Sequence, residues 1–512
     1  MKKTNDFGRD SVPLLVLKTS IPFMFAQFVN VLYSIVDRIY IGNIPVIGGD
    51  SLAGAGVCAP IITLLSSFAA LIGIGGSVTF SVKLGAGDKK SAQRILANSF
   101  SMLLIFSAVL TVVFLLIKDF LLNWFGASEV TFPYANTYLT IYTLGTFFAL
   151  VSMGMNYFIT AQGFPFLGMA TTLIGAVVNI VLDPIFIFVF DMDIAGAAVA
   201  TVIAQLSSCI FVLLTLHSKK MQIPIHLVKP EWEIGKRICK IGFSPFLILA
   251  TDSVIIIALN AVLQYYGGES QGDTLITAAT IVQSYMLLIT SPMLGITGGS
   301  QPLISFNYGA NKPDRIRKTV KWVLVLCITF TTVMFLVSRI LPQYFVQIFT
   351  DNARYRELSI WGIQVFTLMV IPLSLQYVFV DALTALGMTR LSLSLSLFRK
   401  IVYFVMTCVL PIVFAAKSAF YAEPFADGAA ACLTSLVFFV IYRKYLKGEG
   451  RLGEIRLQRR LEYQKNQKTG GKCNVTNRNK SSGIYTSGSE WRVTQFKRLQ
   501  REKSSFVFLS KG

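Results

Sequence analysis

From Pro13 to Tyr445 the chain runs as apolar stretches of roughly 20 residues separated by short polar breaks. That is the length a helix needs to cross ~30 Å of hydrocarbon. Residues 109–117 (VLTVVFLLI) show no alternation of apolar and polar positions, whereas a membrane barrel strand alternates over about ten residues. The pattern therefore predicts helices and excludes a barrel. Twelve spans are expected near 14–41, 53–80, 95–117, 135–160, 166–190, 195–216, 238–264, 276–303, 319–342, 359–386, 392–415 and 419–446. Composition agrees: 54% of the 512 residues are hydrophobic and 14% charged, with a mean hydropathy of +0.62, more apolar surface than a soluble core hides.

The N-terminus carries Lys2, Lys3 and Arg9 but no short apolar core with a small-residue cleavage site, so the first helix is expected to stay. The seven cysteines show no C-x-x-C spacing and indicate neither a disulfide framework nor a metal cluster. Lys and Arg in the connections sort by side. Four fall within 83–94, six within 219–240, five within 312–321 and three within 390–400, eighteen in all. The opposite side holds Arg38, Lys118, Arg339, Arg354, Arg356 and Lys417. The positive-inside bias then puts both termini in the cytoplasm.

The chain also repeats itself. Gly75, Ser81, Gly85 and Ala86 recur 224 residues later as Gly299, Ser305, Gly309 and Ala310, and Thr160-Ala161-Gln162-Gly163 recurs as Thr384-Ala385-Leu386-Gly387. Pro22 pairs with Pro245 at an offset of 223, and Ala200 and Ala204 pair with Ala422 and Ala426 at 222. Six helices per copy give both copies one orientation, related by an axis along the membrane normal. The expected organisation is a cytoplasmic N-terminus (1–13), an N-lobe of helices 1–6 (14–216), a cytoplasmic linker (217–237), a C-lobe of helices 7–12 (238–446) and a basic tail (447–512). The fold class is all-α integral membrane, two pseudo-symmetric six-helix bundles around a central cavity. Prolines 22, 60, 184, 245, 292, 302, 372 and 411 fall within spans and permit the bends a transport cycle uses.

Three motifs carry a family resemblance. The first helix ends Val36-Asp37-Arg38-Ile39-Tyr40-Ile41-Gly42, the eighth ends Gln301-Pro302-Leu303-Ile304-Ser305-Phe306-Asn307-Tyr308-Gly309-Ala310, and the last begins Ala422-Glu423-Pro424-Phe425-Ala426-Asp427. Over nearly all of residues 10–446 the chain resembles the multidrug and toxic compound extrusion (MATE) family. The resemblance implies a secondary antiporter that exports small, drug-like, often cationic compounds while H⁺ or Na⁺ enters, by rocking of two lobes. No Gly-x-x-x-x-Gly-Lys-Ser/Thr loop is present to cradle a nucleotide; no cofactor beyond the coupling ion is expected, and no enzymatic activity.

An ionisable side chain in hydrocarbon costs at least ~2.5–3.5 kcal/mol, so each intramembrane acid is a functional candidate. Asp183 lies deep in the fifth span, and Asn179 stands four residues before it on the same helix face. Asp37 lies late in the first span, and Thr201 follows a run of small residues in the sixth. Asp37, Asn179, Asp183 and Thr201 match by motif and spacing the N-lobe network of archaeal members of the resembled family. That network's first-helix Gln has Asn30 in its place here, with Gln27 one turn earlier. Desolvation disfavours a charged carboxylate, so protonation of Asp37 or Asp183 is one expected switch. Na⁺ bound at Asp37 and Asp183 is the other, since carboxylate, amide and hydroxyl oxygens also suit a hard cation. In the C-lobe, Asn260 stands at the repeat position of Asp37, and Asp252, Asp381, Glu423 and Asp427 are candidate lining residues. Met153, Met155 and Tyr157 are candidates to line an adaptable cavity.

Residues 447–512 contain sixteen Lys and Arg against five Glu, which places eleven of the chain's formal +20 in the tail. Attraction to anionic lipid head groups is its expected role, in preference to nucleic acid. The expected setting is a bacterial-type plasma (inner) membrane, with the chain multi-pass and monomeric and its substrate a small molecule. Two rival readings make different demands. A lipid-linked oligosaccharide flippase of the same superfamily calls for a cationic cavity, and a membrane-embedded prenyltransferase for clustered Asp; no D-D or D-x-x-D cluster lies at a membrane face.

Overall fold

The computed structural model describes residues 5–349 and 352–441; the side chains of 252–254, 256–257, 260 and 269–273 are outside that description, as is the tail, 447–512. The described residues are helical nearly throughout, without a strand. The N-lobe comprises α1 (Val12–Gly42), α2 (Gly48–Gly85), α3 (Lys89–Trp124), α4 (Phe132–Leu144 and Thr146–Ala161), α5 (Pro165–Pro184, prolonged by a π turn over Ile185–Val189) and α6 (Asp193–His217). A helical run, Trp232–Gly309, breaks at Gly268 (φ 60°, ψ −168°) into α7 and α8. Next come α9 (Pro313–Ile340), a short turn (Pro342–Gln347), α10 (Ala353–Ala385), α11 (Thr389–Val413) and α12 (Ala416–Ile441). Ten of these are long and apolar enough to cross a membrane, eleven with the bent α4 counted as one; α7 completes the twelve expected from the hydrophobic pattern.

The repeat is visible in packing. Helices α5 and α11 each begin two residues after a left-handed glycine, Gly163 (φ 92°) and Gly387 (φ 78°). Only Gly adopts that turn without a Cβ clash. Along α5 the buried positions are Pro165, Gly168, Thr171, Ala176, Asn179 and Asp183. Each recurs 224 residues on as a buried position of α11: Thr389, Ser392, Leu395, Lys400, Tyr403 and Thr407. In α6 and α12 the offset is 222, Ala197, Ala198, Ala200, Ala204, Ser208 and Val212 matching Ala419, Phe420, Ala422, Ala426, Ala430 and Thr434, again all buried.

Each lobe has its own apolar core, and the lobes exchange their leading helices. Leu15 of α1 packs in the C-lobe core, and Ile238 of α7, its repeat partner, packs in the N-lobe core. At the end where α2 and α8 finish, backbone meets backbone. A Cβ on Gly85 would stand 1.9 Å from the Phe306 carbonyl oxygen, and a Cβ on Gly309 1.9 Å from that of Val82. These two contacts are the same contact seen from either copy, as a two-fold axis between lobes requires.

The N-terminal segment crosses this seam. Asn5 Nδ2 donates to the Gly163 carbonyl of the N-lobe at 3.3 Å, while Phe7 is buried and packs edge-on against Phe306. The Phe7 carbonyl accepts from Asn307 Nδ2 at 3.1 Å and Arg315 Nη2 at 2.9 Å. Part of the eighth-helix motif is thereby explained: Ser305 donates to the Ala385 carbonyl at 2.9 Å, Asn307 holds the strap, and Gly309 allows the close approach. Asn307→Ala leaves Phe7 with one donor fewer, Arg315 still donating, and is expected to lower stability by about 0.5–1.5 kcal/mol, read as a fall in melting temperature in detergent; no change would show that the Asn307 bond to the strap contributes nothing.

Two expectations change. Arg399 and Lys400, assigned to a connection, lie in the middle of α11: a pair of basic residues reads as a loop in a hydropathy profile, but here partners on neighbouring helices hold them inside. Nor do prolines account for every bend. The 56° break in α4 falls at Gly145, whose missing Cβ would meet Val202 at 2.5 Å, and α10 breaks at the 3₁₀ turn Thr367–Met369.

Candidate functional site

Three helices of the N-lobe bring the sequence candidates together. Asn179 and Asp183 share a face of α5 because they are four apart, and Asn179 Nδ2 donates to Asp183 Oδ1 at 3.0 Å. The same amide reaches the Thr201 hydroxyl of α6 at 3.4 Å. Asp183 is fully buried. From α1, the Asp37 carboxyl lies within hydrogen-bonding reach of the Asp183 carboxyl. Two carboxyl groups make such a bond only when one carries a proton. The buried oxygens Asp37 Oδ1, Asp183 Oδ2 and Asn179 Oδ1 have no hydrogen-bond partner among the described residues.

Beside this pair lies a cavity of about 220 Å³ between α1, α2, α4, α5 and α6. Its polar wall includes Gln27, Asn30, Tyr33, Asn156, Asn179, Thr201 and Gln205, and its apolar wall includes Phe23, Leu65, Met153 and Tyr157. None of these lining residues is charged: the N-lobe acids sit beyond the wall, Asp37 two turns after Asn30 and Asp183 one turn after Asn179. Asn30 donates to Gln27 at 2.9 Å and belongs to the cavity wall. Met155 packs in the N-lobe core instead.

Sequence reasoning passed over Tyr138, Tyr142 and Gln205. Tyr138 approaches both Thr201 and Asp37, and Tyr142 approaches Gln205 and Ser66. Aromatics at helical spacing read as packing, which left the phenols unremarked; Gln205, four residues after Thr201 on the same face, carried a legible signal.

The C-lobe is built differently. Asp381 of α10 approaches Thr297 and Gln301 of α8. Glu423 and Asp427 of α12 pair with Arg399 of α11, Nη2 to Glu423 Oε1 at 2.6 Å and Nε to Asp427 Oδ1 at 2.7 Å. Lys400 Nζ donates to the Thr251 hydroxyl at 2.8 Å and to the Ile248 carbonyl. Asp252 and Asn260 are outside the residues whose side chains are described.

A family model described as MatE matches residues 22–185 and 249–410, one block in each lobe and more than half of the chain. The chain belongs to the MatE family. Among curated MatE-type relatives it is similar to the multidrug export protein MepA of Staphylococcus haemolyticus, 26% identical over 416 residues that cover 81% of this chain and 89% of that one. MepA of Staphylococcus aureus (strain MRSA252) is 24% identical over 438 residues, 85% and 95% of the two chains. The MatE fold is matched by a solved structure described as the outward-facing conformation of a multidrug resistance MATE family transporter of the MOP superfamily, with a TM-score of 0.80 over 87% of this chain and all of that one, at 22% identity.

Proposed function

We propose that this chain is a proton-coupled antiporter that exports small, often cationic organic compounds by alternating access. The observation that carries the reading is the Asp37–Asp183 pair, a half-buried carboxyl and a fully buried one from different helices, meeting beside a cavity with a neutral polar and aromatic wall. Such a wall suits varied drug-sized cargo, and the acids behind it favour a positive charge. A proton bridging the acids holds α1 against α5; a cationic cargo in the cavity stabilises the pair without it. Proton entry and cargo exit are thus alternatives at one site. The role of these relatives, multidrug export, supports the same class of cargo.

The end bearing the N-terminal strap is taken as cytoplasmic. With Arg399 and Lys400 removed from the connections, basic residues still divide sixteen against six. The seam sealed by Gly85 and Gly309 is then the closed cytoplasmic gate, consistent with the outward-facing relative. Prolines within α1, α7 and α8 supply bends for its opening. A lipid-linked pyrophosphate would call for Lys or Arg in the cavity wall, and the wall holds neither.

Efflux of tetraphenylphosphonium by inverted vesicles tests this. An imposed pH gradient is expected to drive transport and an imposed Na⁺ gradient is not. Transport driven by Na⁺ alone would replace the proton with a metal cation at the same oxygens, and transport under neither gradient would end the antiport reading.

A further inference from the structure

Positions that line the N-lobe cavity have counterparts in the C-lobe, and a guanidinium stands among them. Gly175 and Asn179 of α5 line the N-lobe cavity, as do Thr201 and Gln205 of α6. The buried-position register of the two halves, 224 for α5 and α11 and 222 for α6 and α12, puts Arg399 at the position of Gly175 and Tyr403 at that of Asn179. The same register puts Glu423 at Thr201 and Asp427 at Gln205. Where the first lobe leaves space with a glycine, the second inserts a long cation; where the first has a hydroxyl and an amide, the second has two carboxylates.

The pairing is close and enclosed. Arg399 spends Nε on Asp427 Oδ1 at 2.7 Å and Nη2 on Glu423 Oε1 at 2.6 Å, with its side chain 16% exposed, that of Glu423 14% and that of Asp427 0%. The Tyr403 ring is buried beside both acids. One acceptor is left over: Asp427 Oδ2 is buried and has no hydrogen-bond partner among the described residues. A side-chain guanidinium approaching through its Nε edge cannot turn a third N–H to that oxygen. A free guanidinium or amidinium, not tied to α11, can.

We propose that Arg399, Glu423 and Asp427 form a second cation site, selective for planar guanidinium- and amidinium-type groups, in which Arg399 is the tethered resident that such a group replaces. Two carboxylates presented edge-on recognise a planar fork of N–H donors, and a spherical or quaternary cation offers them no matching donors. This deepens the reading of the chain as an exporter of cationic compounds: the N-lobe couples the ion, and the C-lobe selects cargo by the shape of its charge.

The test uses the full chain in detergent, without a gradient, so that it is independent of transport. In Arg399→Gly, which gives the C-lobe the residue of the N-lobe, methylguanidinium is expected to raise the melting temperature, while tetramethylammonium and Na⁺ at equal ionic strength are not. Arg399→Gly combined with Glu423→Gln and Asp427→Asn is expected to lose that response. Equal responses to all three cations in Arg399→Gly, or an undiminished response in the triple variant, would overturn the site. A second measurement holds if Arg399→Gly does not fold. Glu423→Gln, with Arg399 retained, is expected to weaken binding of benzamidinium at least about tenfold more than binding of tetraphenylphosphonium; parallel loss for both would overturn the proposal. Failure here with gradient-driven efflux intact would leave the antiport reading standing, and the reverse result would remove transport while keeping the site.

Discussion

Asp183→Asn is expected to reduce pH-gradient-driven efflux to the background of empty vesicles while leaving the protein folded. The substitution preserves shape, and its Oδ1 can still accept from Asn179 Nδ2. What it removes is the oxygen that shares a proton with Asp37. Because the two carboxyls act on one proton, Asp37→Asn is expected to have the same effect, and the double variant to be no worse than either single one. Melting temperatures should stay at or above that of the unmodified chain, since a buried acid is a cost to the fold. The pH dependence has a definite sign. Cargo binds with the proton gone, so cation affinity in the unmodified chain rises with pH, and in Asp183→Asn it is flat. Coupled efflux at the normal rate in Asp183→Asn would take this residue out of the mechanism.

The other large effect lies far from the cavity. Gly85→Ala and Gly309→Ala each place a methyl group 1.9 Å from a main-chain oxygen of the opposite lobe. A side chain could rotate away; a helix backbone cannot. The sealed arrangement therefore loses about 1–3 kcal/mol relative to one in which the ends part, a shift of roughly 5- to 150-fold in the two populations. Transport is expected to fall at least about tenfold, with the distance between spin labels at Lys90 and Asp314, exposed on the two lobes, moving to longer values. Gly56, whose added Cβ meets nothing within 4 Å, supplies the control: Gly56→Ala should change neither quantity. Unaltered distances in Gly85→Ala and Gly309→Ala would mean that this seam is not a moving gate.

Much of this architecture was legible in the chain because the bilayer imposes it. A span must be about 20 residues long whatever its neighbours are, and duplication leaves near-constant offsets at glycines, where a substitution would collide with backbone. Asn179, Asp183 and Thr201 were legible too, through helical spacing and small flanking residues. The structure added what spacing alone does not encode. Asp37 approaches Asp183 through the crossing of α1 and α5, and no local pattern states where two helices cross. Arg399 was misplaced for the complementary reason: the carboxylates that let it stay inside stand 24 and 28 residues downstream, so its burial is a tertiary fact. The break at Gly145 is equally tertiary, set by Val202 of another helix.

The central claim is that a proton and a cationic cargo exclude one another at Asp37 and Asp183. Proton release on cargo binding measures that exclusion without vesicles or gradients. Tetraphenylphosphonium added to the purified chain in weakly buffered detergent is expected to release up to about one proton per bound cation, with release vanishing in Asp37→Asn, Asp183→Asn and their double variant and unaffected by Na⁺. Cargo binding with no proton released from the unmodified chain, at any pH where it binds, would contradict the account.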